Sequence, residues 1–208
     1  MTGANLTSSK LTSSQKSYFE KRTNEAFNRE FIVDTVLKHF SELENSQKAL
    51  GEKHADAASS YNDVAHNLNA QGRYEEAEPL FRKGLEIYQQ VLGEKHPATA
   101  GSYNNLAFNL DDQSRYEEAE HLYHKGLEIN LKVLGEKHPA TAGSYNNVAS
   151  NLNAQGRYEE AEPLCRKGLE ISQQMLREEH PSTATSYNNV AYNLNEVVNL
   201  FGTNKLSS

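Results

Sequence analysis

Leu92–Asn105 reads LGEKHPATAGSYNN, and the same fourteen residues stand again at Leu134–Asn147. The LGEKH segment also begins at Leu50, and a diverged copy, LREEH, begins at Leu176. Successive copies are therefore spaced 42 residues apart. A fixed period of about 20–50 residues predicts a solenoid, a propeller or another repeat array.

Each unit is patterned as two helices. In the middle unit, apolar residues at i, i+3, i+4 and i+7 form one helical face: Tyr103, Leu106, Ala107 and Leu110. Pro97 stands where a first helical turn tolerates proline, and Gly72 and Gly156 mark the end of the first helix in the sister units. A second helix is predicted from about Arg115 to Val133, because its apolar and small residues again keep helical spacing.

This order of residues resembles the tetratricopeptide repeat, through Tyr103, Leu106, Ala107, Leu110, Tyr116, Ala119, Tyr123 and Gly126. The 42-residue spacing and the NNLA, RYEEAE and LGEKHP elements resemble the kinesin light chain type in particular, over about residues 49–195. The resemblance implies an all-α, right-handed α-solenoid with about three full repeats plus a terminal helix. The family usually has Ala where this chain has Gly84, Gly126 and Gly168. We expect these glycines to permit close helix approach, at a cost in helix propensity of about 1 kcal/mol each.

The repeat marks divide the chain into a core and two ends. We expect a flexible N-terminus (1–14), an N-terminal capping helical segment (15–48), repeats at 49–92, 93–134 and 135–176, a half repeat with a C-terminal capping helix (177–200), and a flexible tail (201–208). The first cap is predicted from an amphipathic pattern that runs from Gln15 to Leu43. The second is predicted because the repeat pattern stops after Asn195, and a lone helix there would cover the last apolar face.

The composition suits a thin array. Only 37% of the 208 residues are apolar, below the roughly 45–50% of ordinary domains. Eleven Tyr and seven Phe argue against wholesale disorder. The single cysteine, Cys165, excludes an internal disulfide and a cysteine-based zinc site. No apolar run approaches the roughly 20 residues that span a bilayer, and residues 1–16 lack a signal peptide's apolar region. We therefore expect a cytoplasmic protein.

The net charge of −7 is unevenly placed. Residues 1–48 carry seven Lys and Arg against six Asp and Glu, whereas residues 49–208 carry 14 against 22. Nucleic acid and membrane surfaces are not expected partners, because both require a basic footprint. A neutral or basic protein or peptide is the electrostatically favoured partner.

The sequence holds no pattern that predicts an enzyme. No phosphate-binding loop, dinucleotide motif or nucleophile elbow is present, and no cofactor is expected. One histidine recurs per unit in the inter-repeat loop, as His54, His96, His138 and His180. Stacked units lie about 10 Å apart, too far for two of these to share a zinc ion at about 2.1 Å, so we expect a loop-capping and packing role. Cys165 stands where Phe81 and Tyr123 stand in sister units, which indicates a core residue.

The family resemblance also implies a binding groove, lined by the second, fifth, ninth and twelfth positions of each first helix. The candidate groove residues are Asn62, His66, Asn69, Asn104, Phe108, Asp111, Asn146, Ser150, Asn153, Asn188 and Tyr192. The fifth position is Asn in all four units, and an amide can bind an extended peptide backbone through both donor and acceptor. The ninth position differs in every unit and includes two aromatic residues, Phe108 and Tyr192, which we expect to act as anchors.

These features predict a non-catalytic scaffold that binds an extended, neutral-to-basic peptide segment of a partner in the groove. Chaperone-binding members of the family clamp an acidic carboxylate with Lys and Arg, and here Asp63, Asp111, Asp112 and Glu196 lie in or near the groove instead. The alternative is a structural or regulatory fragment that self-associates, or assembles with a larger signalling protein, through its ends or its convex face. In either case we expect the chain to be a monomer or to associate weakly with itself through its ends.

Overall fold

The computed structural model describes residues 55–176 and 178–204, with side chains described as far as residue 199. This part of the chain holds seven helices and no strand. The helices are α1 (Ala55–Ala70), α2 (Tyr74–Val91), α3 (Pro97–Asp112), α4 (Tyr116–Val133), α5 (Pro139–Ala154), α6 (Tyr158–Met175) and α7 (Pro181–Asn204). The predicted N-terminal capping segment at 15–48 lies outside the described residues.

The helices pack in consecutive pairs, so that α1 with α2, α3 with α4 and α5 with α6 each form one repeat. The odd-numbered helices of successive repeats also contact one another, whereas the even-numbered helices within the described ranges do not. We call the layer whose helices contact one another across the junctions the inner layer. The predicted all-α solenoid of three helix pairs plus a terminal helix is thereby confirmed, with the first helices as its inner layer.

Histidine side chains begin the first helices. The Nδ1 atoms of His96 and His138 each accept a hydrogen bond of 3.1 Å from the backbone N–H two residues on, and His180 does the same at the start of α7. Pro97 and Pro139 then occupy the first helical position, where the missing N–H costs nothing. The structure thus confirms the predicted capping role for His96, His138 and His180, whereas His54 lies outside the described residues.

A residue in the left-handed conformation ends the first helix of each full repeat. Gly72 has φ 72° and Gly156 has φ 75°, and the middle repeat places Ser114 in the same conformation with φ 60°. The backbone N–H of the next residue, an arginine, then bonds a carbonyl in the last turn of the helix, at 2.9–3.0 Å in all three repeats. This geometry satisfies carbonyls that the helix end would otherwise leave unpaired and turns the chain into the second helix.

The core is a continuous seam between the two layers. Phe81, Leu106, Leu110 and Val148 are at most 1% exposed, and they pack within one apolar cluster that runs through all three repeats. Ion pairs fasten the outside of the same junctions: Arg115 pairs with Glu78 of the preceding repeat at 2.7 Å. Arg157 and Glu120 repeat this contact at 2.6 Å. Each of the two junctions between full repeats therefore has an apolar centre and a charged edge.

The terminal helix continues where the other first helices stop. α7 has 24 residues, whereas α1, α3 and α5 have 16 each. Val197 and Val198 stand where Gln155 and Gly156 turn the chain in the preceding repeat. The glycine that permits the left-handed turn is missing there, and the helix runs on to Asn204.

Candidate peptide-binding groove

The inner layer carries all the predicted groove residues. They lie on α1 (Asn62, His66, Asn69), on α3 (Asn104, Phe108, Asp111), on α5 (Asn146, Ser150, Asn153) and on α7 (Asn188, Tyr192). Their surroundings differ by row: the fifth-position row packs towards the second helices, the twelfth-position row bonds to the next repeat, and the ninth-position row faces outward.

The fifth-position asparagines are largely enclosed. Asn62 is 8% exposed and Asn146 is 6% exposed. Their Nδ2 groups donate to serines of the following first helix, Asn62 to Ser102 Oγ at 3.4 Å and Asn146 to Ser186 Oγ at 2.7 Å. Asn188 is exposed, since no second helix covers it in the described part of the chain. These amides therefore link neighbouring repeats, and only the last of the row is fully open.

The oxygens of this row face glycines of the second helices. In the described residues, the Oδ1 atoms of Asn62, Asn104 and Asn146 are buried without a conventional hydrogen-bond donor. A Cβ on Gly84 would lie 2.7 Å from Asn62 Oδ1, and one on Gly126 would lie 2.5 Å from Asn104 Oδ1. Only glycine leaves room for the amide, and its Cα–H groups are what remain to face the oxygen. The close helix approach that was predicted at these glycines is what the structure has.

A ladder of amides that the sequence interpretation missed holds the twelfth-position row. Asn109 Nδ2 donates to Asn69 Oδ1 at 2.6 Å and to the carbonyl of Tyr74 at 2.9 Å, so it joins two repeats. The equivalent bonds run from Asn151 to Asp111 (2.6 Å) and Tyr116 (3.0 Å), and from Asn193 to Asn153 and Tyr158 (2.8 Å each). The donors are at most 1% exposed. The sequence did indicate this ladder, because Asn stands at the donor position in all four units.

The middle rung of the ladder is acidic. Burial raises the pKa of Asp111 above its ordinary 3.8, although hydrogen bonds from Asn151 and Tyr123 act in the opposite direction. Burial, and then the charge of Asp111, raise the pKa of the Tyr123 hydroxyl. The neighbouring carboxylate, Asp112, is exposed and accepts a 2.5 Å hydrogen bond from Asn69 Nδ2. Two carboxylates thus lie together at the centre of the inner face.

The ninth-position row forms the open surface of the inner layer. Phe108 is 50% exposed and Tyr192 is 52% exposed, and His66 and Ser150 are also exposed. The His66 ring packs edge-on against Phe81, with ring centroids 5.0 Å apart, and burial lowers the pKa of this histidine. A row with one different exposed side chain per repeat is suited to reading successive side chains of an extended ligand.

Residues outside the groove offer little chemistry. Cys165 is 1% exposed, and burial raises the pKa of its thiol. In the two described ranges, no three His, Cys, Asp or Glu side chains are grouped so that they could hold a metal ion. Among the described helices, none has the length and apolar character needed to cross a bilayer.

A family model described as "Tetratricopeptide repeat" matches the chain in four overlapping segments, at residues 41–90, 56–132, 100–151 and 140–196. Together the matched segments extend from residue 41 to residue 196. No curated protein matches the chain in sequence.

Solved structures share the fold. A putative kinesin light chain with nearly identical TPR-like repeats, from Podosopora anserina, is 23% identical with a TM-score of 0.68, over 92% of this chain and 87% of that one. BtubC (BKLC) from P. vanneervenii is 20% identical with a TM-score of 0.72, over 82% of this chain and 68% of that one. The apo form of RapI is 20% identical with a TM-score of 0.67, over 91% of this chain and 51% of that one.

Proposed function

Because this chain belongs to the tetratricopeptide repeat family, whose members bind protein partners, we propose that its inner face holds an extended peptide segment of a partner. A role as a protein-interaction scaffold follows from membership of this family. The exposed ninth-position row is the observation that supports peptide binding on the inner face. Near-identical repeats differ at this position in every copy, while the neighbouring amides are occupied by contacts between repeats.

The proposed peptide is neutral to basic and carries an apolar side chain. Phe108 and Tyr192 each offer a half-exposed aromatic ring, and such rings are common anchors in interfaces. Asp63 and Asp112 are exposed beside this row and favour Lys or Arg over Asp or Glu in the ligand. Asn188, whose amide is open, is better placed to bind the peptide backbone than the enclosed amides of the same row.

Substitution of Phe108 by the residue of the sister repeat tests this proposal. Peptides would be selected from a random phage-displayed library on the unmodified chain, and their dissociation constants would be measured by isothermal titration. We expect Phe108→Ser, which copies Ser150, to weaken binding at least about tenfold, because loss of one buried aromatic anchor commonly costs over 1 kcal/mol. The selected peptides should be rich in Lys or Arg, and their affinity should fall as salt is raised.

The matched control is Val133→Ser, which removes an apolar side chain of similar exposure (47%) from the outer helix α4. Binding should be unchanged in this variant. Peptides that lose affinity with Val133→Ser and keep it with Phe108→Ser would place the binding site on the outer face and contradict the proposal.

A further inference from the structure

One face of α7 has no helix packed on it in the described part of the chain. Leu194 is 38% exposed, whereas Leu110 and Leu152, its counterparts in the sister repeats, are 1% and 3% exposed. Ala191 is likewise exposed where Ala107 is fully buried. In the sister repeats this face packs against the second helix of the same repeat.

The open face is a continuous stripe. The α7 stripe consists of Ala184, Tyr187, Ala191, Leu194 and Val198. These residues are spaced three or four apart, so they share one side of the helix. All five are exposed, Tyr187 by 42% and Val198 by 66%. A soluble surface seldom leaves such a stripe without a partner.

We propose that the α7 stripe pairs with the α7 stripe of a second copy, in an antiparallel, two-fold symmetric contact centred on Ala191. The small residue Ala191 lies at the middle of the stripe, between the larger Tyr187 and Leu194. Turned end for end, the larger Val198 lies opposite the small Ala184 of the second copy, and Tyr187 lies within one residue of the position opposite Leu194. A small residue at the crossing point lets the helices approach, and a two-fold contact requires a self-complementary surface of this kind.

The charge distribution favours the same occupant. Glu196 is the one charged residue between Pro181 and Asn204, whereas α2 carries six in 18 residues. Two acidic chains with a net charge of −7 each would therefore meet through a helix that carries a single charged residue, where electrostatic repulsion is small. A single helix pair lies near the ~1,000 Å² lower limit of specific interfaces, which suits a micromolar dimer.

The N-terminal segment of another copy is a poorer occupant. A second helix of this array presents glycine to the fifth-position asparagine, as Gly84, Gly126 and Gly168 do. In the 42-residue register, the segment before Leu50 carries Glu42 at that position. A helix formed by this segment would place the whole Glu42 side chain, and not a glycine, against Asn188. The stripe lies on a different side of α7 from Tyr192, so the dimer leaves the ninth-position row open, although a helix on the stripe would also cover Asn188.

Sedimentation velocity of the full 208-residue chain, from about 5 to 500 µM, tests the proposal. We expect a reversible dimer, and at least a tenfold rise in its dissociation constant with Ala191→Glu. The matched control is Val133→Glu, which places the same charge at an exposed apolar site on α4 and should leave the dimer intact. Circular dichroism establishes that both variants keep their helices.

Cross-linking tests the symmetry. Ala191→Cys should form a disulfide-linked dimer under mild oxidation, because the two new thiols meet on the two-fold axis. The parent chain, whose one cysteine is buried, is the blank. A chain that stays monomeric throughout would overturn the proposal, as would a dimer that survives Ala191→Glu and gives no cross-link with Ala191→Cys. So would a dimer that is lost with Val36→Asp and kept with Ala191→Glu, which would identify the N-terminal segment as the occupant.

Discussion

Ser114 adopts a left-handed backbone conformation (φ 60°) that the sister repeats leave to Gly72 and Gly156. This conformation costs a residue that has a Cβ roughly 1–2 kcal/mol. Replacing the residue by glycine recovers only part of this cost, because glycine also gains more conformational freedom in the unfolded chain. We expect Ser114→Gly to raise the free energy of unfolding by about 1 kcal/mol, measured by urea denaturation. The reciprocal control, Gly156→Ser, should lower it by a similar amount. Two variants that both destabilise the protein would show that the left-handed turn is not what distinguishes the sites.

Asp111 gives the protein a predictable pH response. Its folded-state pKa is raised by burial, so its ionisation opposes folding. The resulting penalty is absent below the unfolded pKa, near 4, and grows as the pH rises towards and through the folded pKa. We therefore expect Asp111→Asn, which copies Asn69 and Asn153, to be more stable than the parent at pH 7. The difference should shrink towards zero below about pH 4, measured as urea midpoints. A difference that grows on acidification would contradict this assignment.

At the scale of helix pairs, the close approach of α3 and α4 depends on Gly126. A Cβ on Gly126 would meet both Asn104 Oδ1 (2.5 Å) and the carbonyl oxygen of Ala100 (3.2 Å). We expect Gly126→Ala to destabilise the chain by about 2 kcal/mol, because the amide is enclosed and cannot move aside freely. Thermal and urea unfolding measure the effect. Adding Asn104→Ala should recover part of the loss, since the carbonyl contact remains.

The control for this substitution lies on a neighbouring helix. Gly143 also sits within a helix, and a Cβ there would meet nothing within 4 Å. Gly143→Ala should therefore stabilise the chain by about 0.5–1 kcal/mol through helix propensity alone. If Gly126→Ala stabilised the chain as well, the close approach would not depend on glycine.

The helix pairs were predictable because the signals that define them are local. Pro97 at a helix start, Gly72 at a helix end and an apolar face of helical period all lie within one unit of sequence. The extension of α7 to Asn204 was harder to predict. It occurs because Val197 and Val198 replace the residues that turn the chain in the sister repeats.

The surroundings of the candidate groove residues were predicted less completely than the helices, for a physical reason. Spacing along a helix tells which residues share a face, and it correctly placed Phe108 and Tyr192 on an exposed row. Spacing does not tell how deeply a residue lies between two layers. Asn62 and Asn69 share that face and are enclosed by atoms from the next repeat, 40 or more residues away in sequence.

Between residues 55 and 204, the described part of the molecule is a stack in which each repeat touches only its neighbours. Its stability is then the sum of the repeats and of the junctions between them. The apolar seam, the Arg–Glu pairs and the amide ladder all belong to the junctions. The two layers differ because the first helices contact one another across junctions and the described second helices do not, and this difference gives the stack an inner and an outer face.

The amide ladder makes every junction interchangeable. Asn109, Asn151 and Asn193 bond to atoms that each preceding repeat supplies at the same place. A duplication of 42 codons would therefore add a repeat that makes the same junction contacts on both sides. A deletion of 42 codons would bring together two repeats whose junction contacts also match. The length of the inner face can change by recombination alone. The exposed residue that each new copy brings at the ninth position can diverge, because neither the amide ladder nor the Arg–Glu pairs use it.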